Sequence, residues 1–423
     1  MKKNMTLKFI FVSGVVICSS FFYGAAVGVW NIFPYFQIAG MFELVEKNAQ
    51  KILNAESSQD IMNVKSDDQK QNSLISSSGF GSEIIIPRSI VLSQLTLLNN
   101  FELKWGRIDD ENLNKVGAVI YKGDRVWYVN QKENKLLDRL KLSDKTTYSG
   151  GVKAIFSVAD EQYAYVAYSD GGCASARIYN LKNDEIALQL PCLPNPNLVD
   201  LAGVGGGWLK LNDNEILLST GTPSGISAYV SLEINQIAQD PESPWGKILK
   251  LSFVNGQINA SIYTSGHRNP QGLAEIDGIK YAVEHGPRGG DEINVIEEGA
   301  NYGWPIQSFG SEYDLTPINN NFEKLQKSKK PLFSFVPSIG ISYVGKCPVS
   351  YSEYYSPNLC TAISSMRGNS IFLLIHDGEK AHFYERMDFE SRIRKFRFEG
   401  DSLIAATDFA GLIIGKFGPA AVQ

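Results

Sequence analysis

The chain has 423 residues, with 40 Lys+Arg against 45 Asp+Glu, giving a net charge of −5. With 43% hydrophobic and 20% charged residues it is too apolar for a mainly disordered protein, and its mild acidity without basic runs excludes the electrostatics expected of a nucleic-acid partner. Gly (38), Tyr (19) and Phe (22) favour turns and strands over long helices, and the four His leave few positions for an imidazole ligand or base.

At the amino end, no charged residue occurs from Phe9 to Phe42, whereas Lys2, Lys3 and Lys8 precede this run and Glu43 and Glu46 follow it. A bilayer core needs about 20 apolar residues, so the run predicts a transmembrane signal-anchor helix over 9–40. The charge bias places residues 1–8 in the cytoplasm and the rest outside. A cleaved signal peptide is the rival reading, because Ser19, Ser20, Gly24, Ala25 and Ala26 are small residues near a plausible cleavage point. Against it, the apolar run continues past them to Trp30, Tyr35 and Phe36, spaced like an interfacial belt. Residues 41–82 read as a linker, helical at first and then Ser/Gly-rich and polar, and the globular part runs from 83 to 423.

Export agrees with the cysteines. Cys18 lies in the apolar run, and the other four suit two short-loop disulfides, Cys173–Cys192 and Cys347–Cys360, with buried free thiols as the alternative. From about residue 84 to 420 the sequence breaks into short β-type runs bounded by Gly, Asp and Asn, such as residues 118–130, 162–170, 215–221, 247–253, 370–378 and 401–408. No helix of ten residues or more is expected after the linker. The prediction is an all-β domain of radially repeated hairpins, a propeller, for which six blades allow about 56 residues each.

Residues 266–305 read GHRNPQGLAEIDGIKYAVEHGPRGGDEINVIEEGANYGWP. The blocks GHRNPQG, EHGPRGGDE and NYGWP, in this order and spacing, strongly resemble the signature of the glucose/sorbosone dehydrogenase family. Its members are soluble-type aldose dehydrogenases that use pyrroloquinoline quinone on a six-bladed β-propeller. Weaker likeness extends over about 149–418, including SPWGKILKL (243–251) and SRIRKFRFEGDSLIAATD (391–408). The resemblance implies that Arg268, Asn269, His285, Arg392 and Arg394 contact the quinone and that Arg367 replaces a cofactor-contacting lysine. It further implies that the carbonyls of Gly286 and Pro287 hold calcium and that Asp291 lies close to the sugar. The residue types suit these roles, since guanidinium forks pair with carboxylates and calcium prefers hard oxygens. Ligand contact and purely structural use of Arg268, Asn269 and His285 both remain open at this point, as does a simple pairing of Arg268 with Asp291. Asn301, Gly303 and Pro305 read as turn formers with Trp304 as a core anchor, and His376 and His382 as surface bystanders.

The pattern fails where oxidation of a sugar's anomeric carbon needs a general base. The family's His in H-x-G-G-R aligns with Val204 of VGGGW, and Trp208 replaces the Arg. The following Gly-Asp reads Gly221-Thr222, and a cofactor-contacting Gln reads Ser149. Two function classes follow. One is a membrane-anchored, extracytoplasmic sugar dehydrogenase that oxidises an aldose to a lactone and passes electrons to an external acceptor. The other is a catalytically degenerate propeller serving as a binding or scaffold module at the cell envelope. A calcium-dependent lactone hydrolase is a third reading, without an Asp/Asn/Glu cage to support it.

Overall fold

The computed structural model describes residues 81–420 apart from 88–89, 91, 98–99, 123, 133, 147–148, 197–198, 224–232, 255–256 and 319–326. The expected anchor (9–40) and nearly all of the linker lie outside the described residues. Among the described residues, no helix is long and apolar enough to cross a membrane.

Six antiparallel sheets form the six blades of a β-propeller. Blade 1 has three strands (Ser82–Ile85, Val116–Lys122 and Arg125–Asn130). Blades 2 to 5 have four each, beginning at Gly151, Trp208, Pro270 and Ile341. Blade 6 has five and closes the ring: Phe101–Ile108, from the amino side, pairs with Leu412–Pro419, so that Leu412 faces Ile108 and Pro419 faces Phe101.

The strand chemistry follows position in the blade. Central strands are covered on both faces, so Ser370–His376 (SIFLLIH) is buried at every position and reads as a continuous apolar run. Outer strands face solvent, and Gln257–Ser265 exposes most of its residues. The expected strands all form, and the longest described helix, Val349–Tyr355, has seven residues. Both expected disulfides form, Cys173–Cys192 with Cα atoms 5.2 Å apart and Cys347–Cys360 at 5.8 Å. The second spans the excursion that carries helix Val349–Tyr355, between the first two strands of blade 5.

One expectation is overturned. His376 is not a surface residue but fully buried at the end of a central strand. Its Nε2 lies 2.8 Å from Thr361 Oγ1, and its Nδ1 accepts the Gly378 N–H at 3.1 Å. The polar turn residues beside it in sequence are the hairpin turn outside the strand. His382 is exposed, as expected.

Candidate active site

A repeated backbone irregularity shapes the axis of the ring. In five blades the innermost strand carries one extra residue relative to its neighbour: Gly117, Lys153, Gln271, Ser342 and Arg394. A bulge of this kind turns a side chain out of the alternating pattern. All five residues line one cavity of about 230 Å³. Blade 3 contributes Gly205 and Gly206 there instead, and a Cβ on Gly206 would lie 2.9 Å from the Cβ of Lys153. The missing side chain leaves room for the lysine stem.

The cavity is strongly cationic. Lys115, Lys153, Arg392, Arg394 and Lys395 line it beside His285, Asn269 and Gln131. The nearby carboxylate of Asp408 is already engaged: Arg394 donates to both of its oxygens at 3.1 and 2.7 Å, and Arg392 Nε stands 3.6 Å away. Charges of one sign in a confined space shift one another. Burial, then Arg394, brings Lys395 down to about 8. Burial, then Lys115 and Arg394, pulls Lys153 well below the usual lysine range, and burial with Arg394 also lowers Lys115. His285 is lowered by burial first, then by Arg268, Arg394 and Arg392, with Asp291 opposing, which favours the neutral imidazole.

The signature occupies the approach to blade 4 and its loops. His267 is fully buried, with Nδ1 3.1 Å from Glu284 Oε1, Nε2 2.8 Å from Thr264 Oγ1, and its ring stacked on Tyr302. Glu284 also accepts the Arg268 N–H at 2.9 Å and Asn294 Nδ2 at 3.0 Å. Trp304 is a core anchor as expected, donating Nε1–H to Thr222 Oγ1 at 2.9 Å. Thr222, read from sequence as a lost carboxylate, thus ties blade 3 to the signature.

The structure gathers part of the expected set. Asn269, His285, Arg392 and Arg394 share the cavity. Arg268, Gly286 and Pro287 line a smaller adjoining pocket with Glu284, His285 and Glu292. There Arg268 donates to the His285 carbonyl at 3.2 Å and lies 5.5 Å from the centre of the Trp304 ring, so it is not paired with Asp291. Burial, then Glu284, pushes the Glu292 carboxyl well up. Asp291 is 1% exposed and accepts the N–H groups of Gly286, Gly340 and Ile341 at 3.1, 2.7 and 3.0 Å, with His285 Nδ1 at 3.9 Å. Its oxygens hold the loop together. Arg367 is exposed and does not line the cavity, where its neighbour Met366 stands instead.

Val204 is buried in the apolar core between blades 2 and 3, its carbonyl accepting the Tyr165 hydroxyl at 3.1 Å. Trp208 packs against the same core, 5.8 Å from Phe156. The block aligned with the family's base is therefore main chain and apolar packing here. Sequence reasoning missed Lys115, Lys153, Lys395 and Gln131, to which the resemblance assigns no role.

The six-bladed ring and the signature at its axis place the chain in one class. It belongs to the glucose/sorbosone dehydrogenase family, whose profile matches residues 149–412. Among curated relatives, the aldose sugar dehydrogenase YliI of Escherichia coli is 35% identical over 200 residues, 43% of this chain and 53% of that protein. The quinoprotein glucose dehydrogenase B of Acinetobacter calcoaceticus is 44% identical over 78 residues, 16% of each chain. The matched segments thus span about half or less of these relatives. The crystal structure of the soluble aldose sugar dehydrogenase from Escherichia coli, in its apo-form, superposes with a TM-score of 0.59 at 20% identity, covering 75% of this chain and 99% of that one.

Proposed function

We propose that the protein is a quinone-dependent sugar dehydrogenase of this family, oxidising an aldose to a lactone and passing electrons to an external acceptor. The observation that carries this is the axial cavity, where five cationic side chains meet one already paired carboxylate, a donor set suited to an anion with several carboxylates such as pyrroloquinoline quinone. Arg392 and Arg394 would take its carboxylates. Asn269, whose amide oxygen is occupied by Gln271, offers its NH₂ group. When bound, the quinone would supply a two-electron acceptor.

Calcium would be held by the carbonyls of Gly286 and Pro287, in a loop drawn so tight that a Cβ on Gly286 would stand 2.3 Å from the carbonyl oxygens of both Gly289 and Gly290. Glu284 and Glu292 line the same pocket, but Glu284 is already engaged by His267, Arg268 and Asn294. Among the described residues, no group of three or more His, Cys, Asp or Glu side chains gathers as a metal site, so the carbonyls would be the principal ligands. With Val204 buried, His285 is the one imidazole on the cavity wall, and its lowered pKa leaves it free to accept a proton from a sugar hydroxyl. Asp291 would act on the sugar through His285 and the loop. The 9–40 segment would hold the propeller outside the membrane.

The second reading, a binding module that has lost its chemistry, is favoured by the burial of Val204 in the core and the packing of half-buried Trp208 against it. Incubating the full chain with calcium and pyrroloquinoline quinone, then measuring binding and dye-coupled oxidation of a panel of aldoses, separates the two. Binding with turnover supports the dehydrogenase, binding without turnover supports the module, and absence of both removes the quinone reading.

A further inference from the structure

The cavity holds more positive charge than the family signature accounts for. The resemblance gives Arg392 and Arg394 a role in holding the quinone and gives none to Lys115, Lys153 or Lys395. Lys153 occupies the same bulged position on its inner strand as Arg394 does on its own, so backbone geometry turns both toward the axis. The absence of a side chain on Gly206 accommodates its stem. Lys153 Nζ donates to the Ser149 carbonyl at 2.7 Å and forms no ion pair within 4 Å among the described residues. Lys395 lies two strand positions from Ile393, with its Nζ 5.8 Å from the Tyr343 ring centre.

We propose that Lys153, supported by Lys115 and Lys395, is a direct ligand for a polycarboxylate anion, completing an anion site of which the Arg392–Arg394 pair is one half. This rests on the quinone-holding reading for its location, but any planar tricarboxylate has the required chemistry. It also gives a work-around for two departures from the family pattern: Ser149 in place of a Gln, and Arg367 lying outside the cavity.

Proton linkage follows. The charged groups acting on Lys153 are Lys115, Arg394 and Lys132, which disfavour its ammonium form, and Asp200, which favours it. Arg394 acts likewise on Lys395. An incoming anion favours the charged amines, so binding takes up protons, and affinity rises as pH falls through the lowered lysine values.

The test is calorimetric titration of the full chain with benzene-1,3,5-tricarboxylate and, separately, with pyrroloquinoline quinone, at about pH 8 in buffers of differing ionisation enthalpy. Both anions should bind with net proton uptake. Lys153→Met should weaken binding about tenfold or more, as expected for loss of a charge-assisted hydrogen bond, and reduce the uptake. Lys153→Arg, which cannot deprotonate, should keep binding while reducing the uptake, and so guards against a Met variant that fails to fold. Unchanged affinity and proton uptake in both variants would overturn the proposal. Quinone binding that ignores Lys153 overturns it while leaving the quinone reading intact. Lys153-dependent binding of the tricarboxylate without quinone binding does the reverse, and binding of neither anion removes both.

Discussion

Blades 3 and 4 meet the same cavity with opposite kinds of wall. Blade 4 presents Asn269, Gln271 and His285, backed by the buried set of His267, Glu284, Thr264, Asn294 and Tyr302. Blade 3 presents Ala202, Gly205 and Gly206, while Val204 packs into the core. Blade 4 therefore lines the cavity with polar side chains and blade 3 with glycine and alanine. In blade 4 those side chains also satisfy buried backbone and ring donors, so losing them would cost stability. In blade 3 Val204 is buried between blades, where a polar ring in its place would have to be desolvated.

The contrast can be broken most forcefully from the blade 4 side. Glu284→Ala strips the partner from three buried donors, on His267, Arg268 and Asn294. It should cost about 3–5 kcal/mol in denaturant unfolding. A loss below about 1 kcal/mol would show that this network is not what retains the signature. Val204→His is the converse. Placing an imidazole in an apolar core should destabilise by about 1–3 kcal/mol without raising sugar oxidation. Any gain in turnover would mean that blade 3 can still present a base to the cavity.

The smallest effect concerns His376, the buried histidine outside both walls. Burial lowers its pKa to about 4 from an ordinary 6.5. The unfolded chain therefore binds this proton first as pH falls. Its contribution to stability is complete above about pH 6.5 and is lost progressively toward pH 4. His376→Gln should flatten the stability profile in that window, and an unchanged slope would mean that the ring is not held neutral.

Much of the fold was legible because strands, hairpin turns and cysteine spacing are local features. The signature was legible as contiguous text, and two of its residues, Asn269 and His285, line the cavity together with Arg392 and Arg394 from the later block. Lys153 was not, because a bulge is defined by hydrogen bonds to the neighbouring strand and leaves no mark in the chain's own alternation. Arg367 is exposed in the bend that follows strand Leu359–Ser365, and its neighbour Met366 lines the cavity there. His376 was misjudged from its neighbours Asp377 and Gly378, which belong to the turn while the histidine itself is the last buried residue of the strand. The burial of Val204 in the interblade core depended on packing that no alignment of motifs reveals.

The way the ring closes ties the integrity of the fold to the furnishing of the cavity. Strand Ile393–Glu399 brings Arg392, Arg394 and Lys395 to the axis, and Leu412–Pro419 zips onto Phe101–Ile108 in the same blade. Ring closure and the arrival of the two arginines thus belong to one stretch of polypeptide, and losing it would forfeit the seam of the ring and the cavity's arginine pair together.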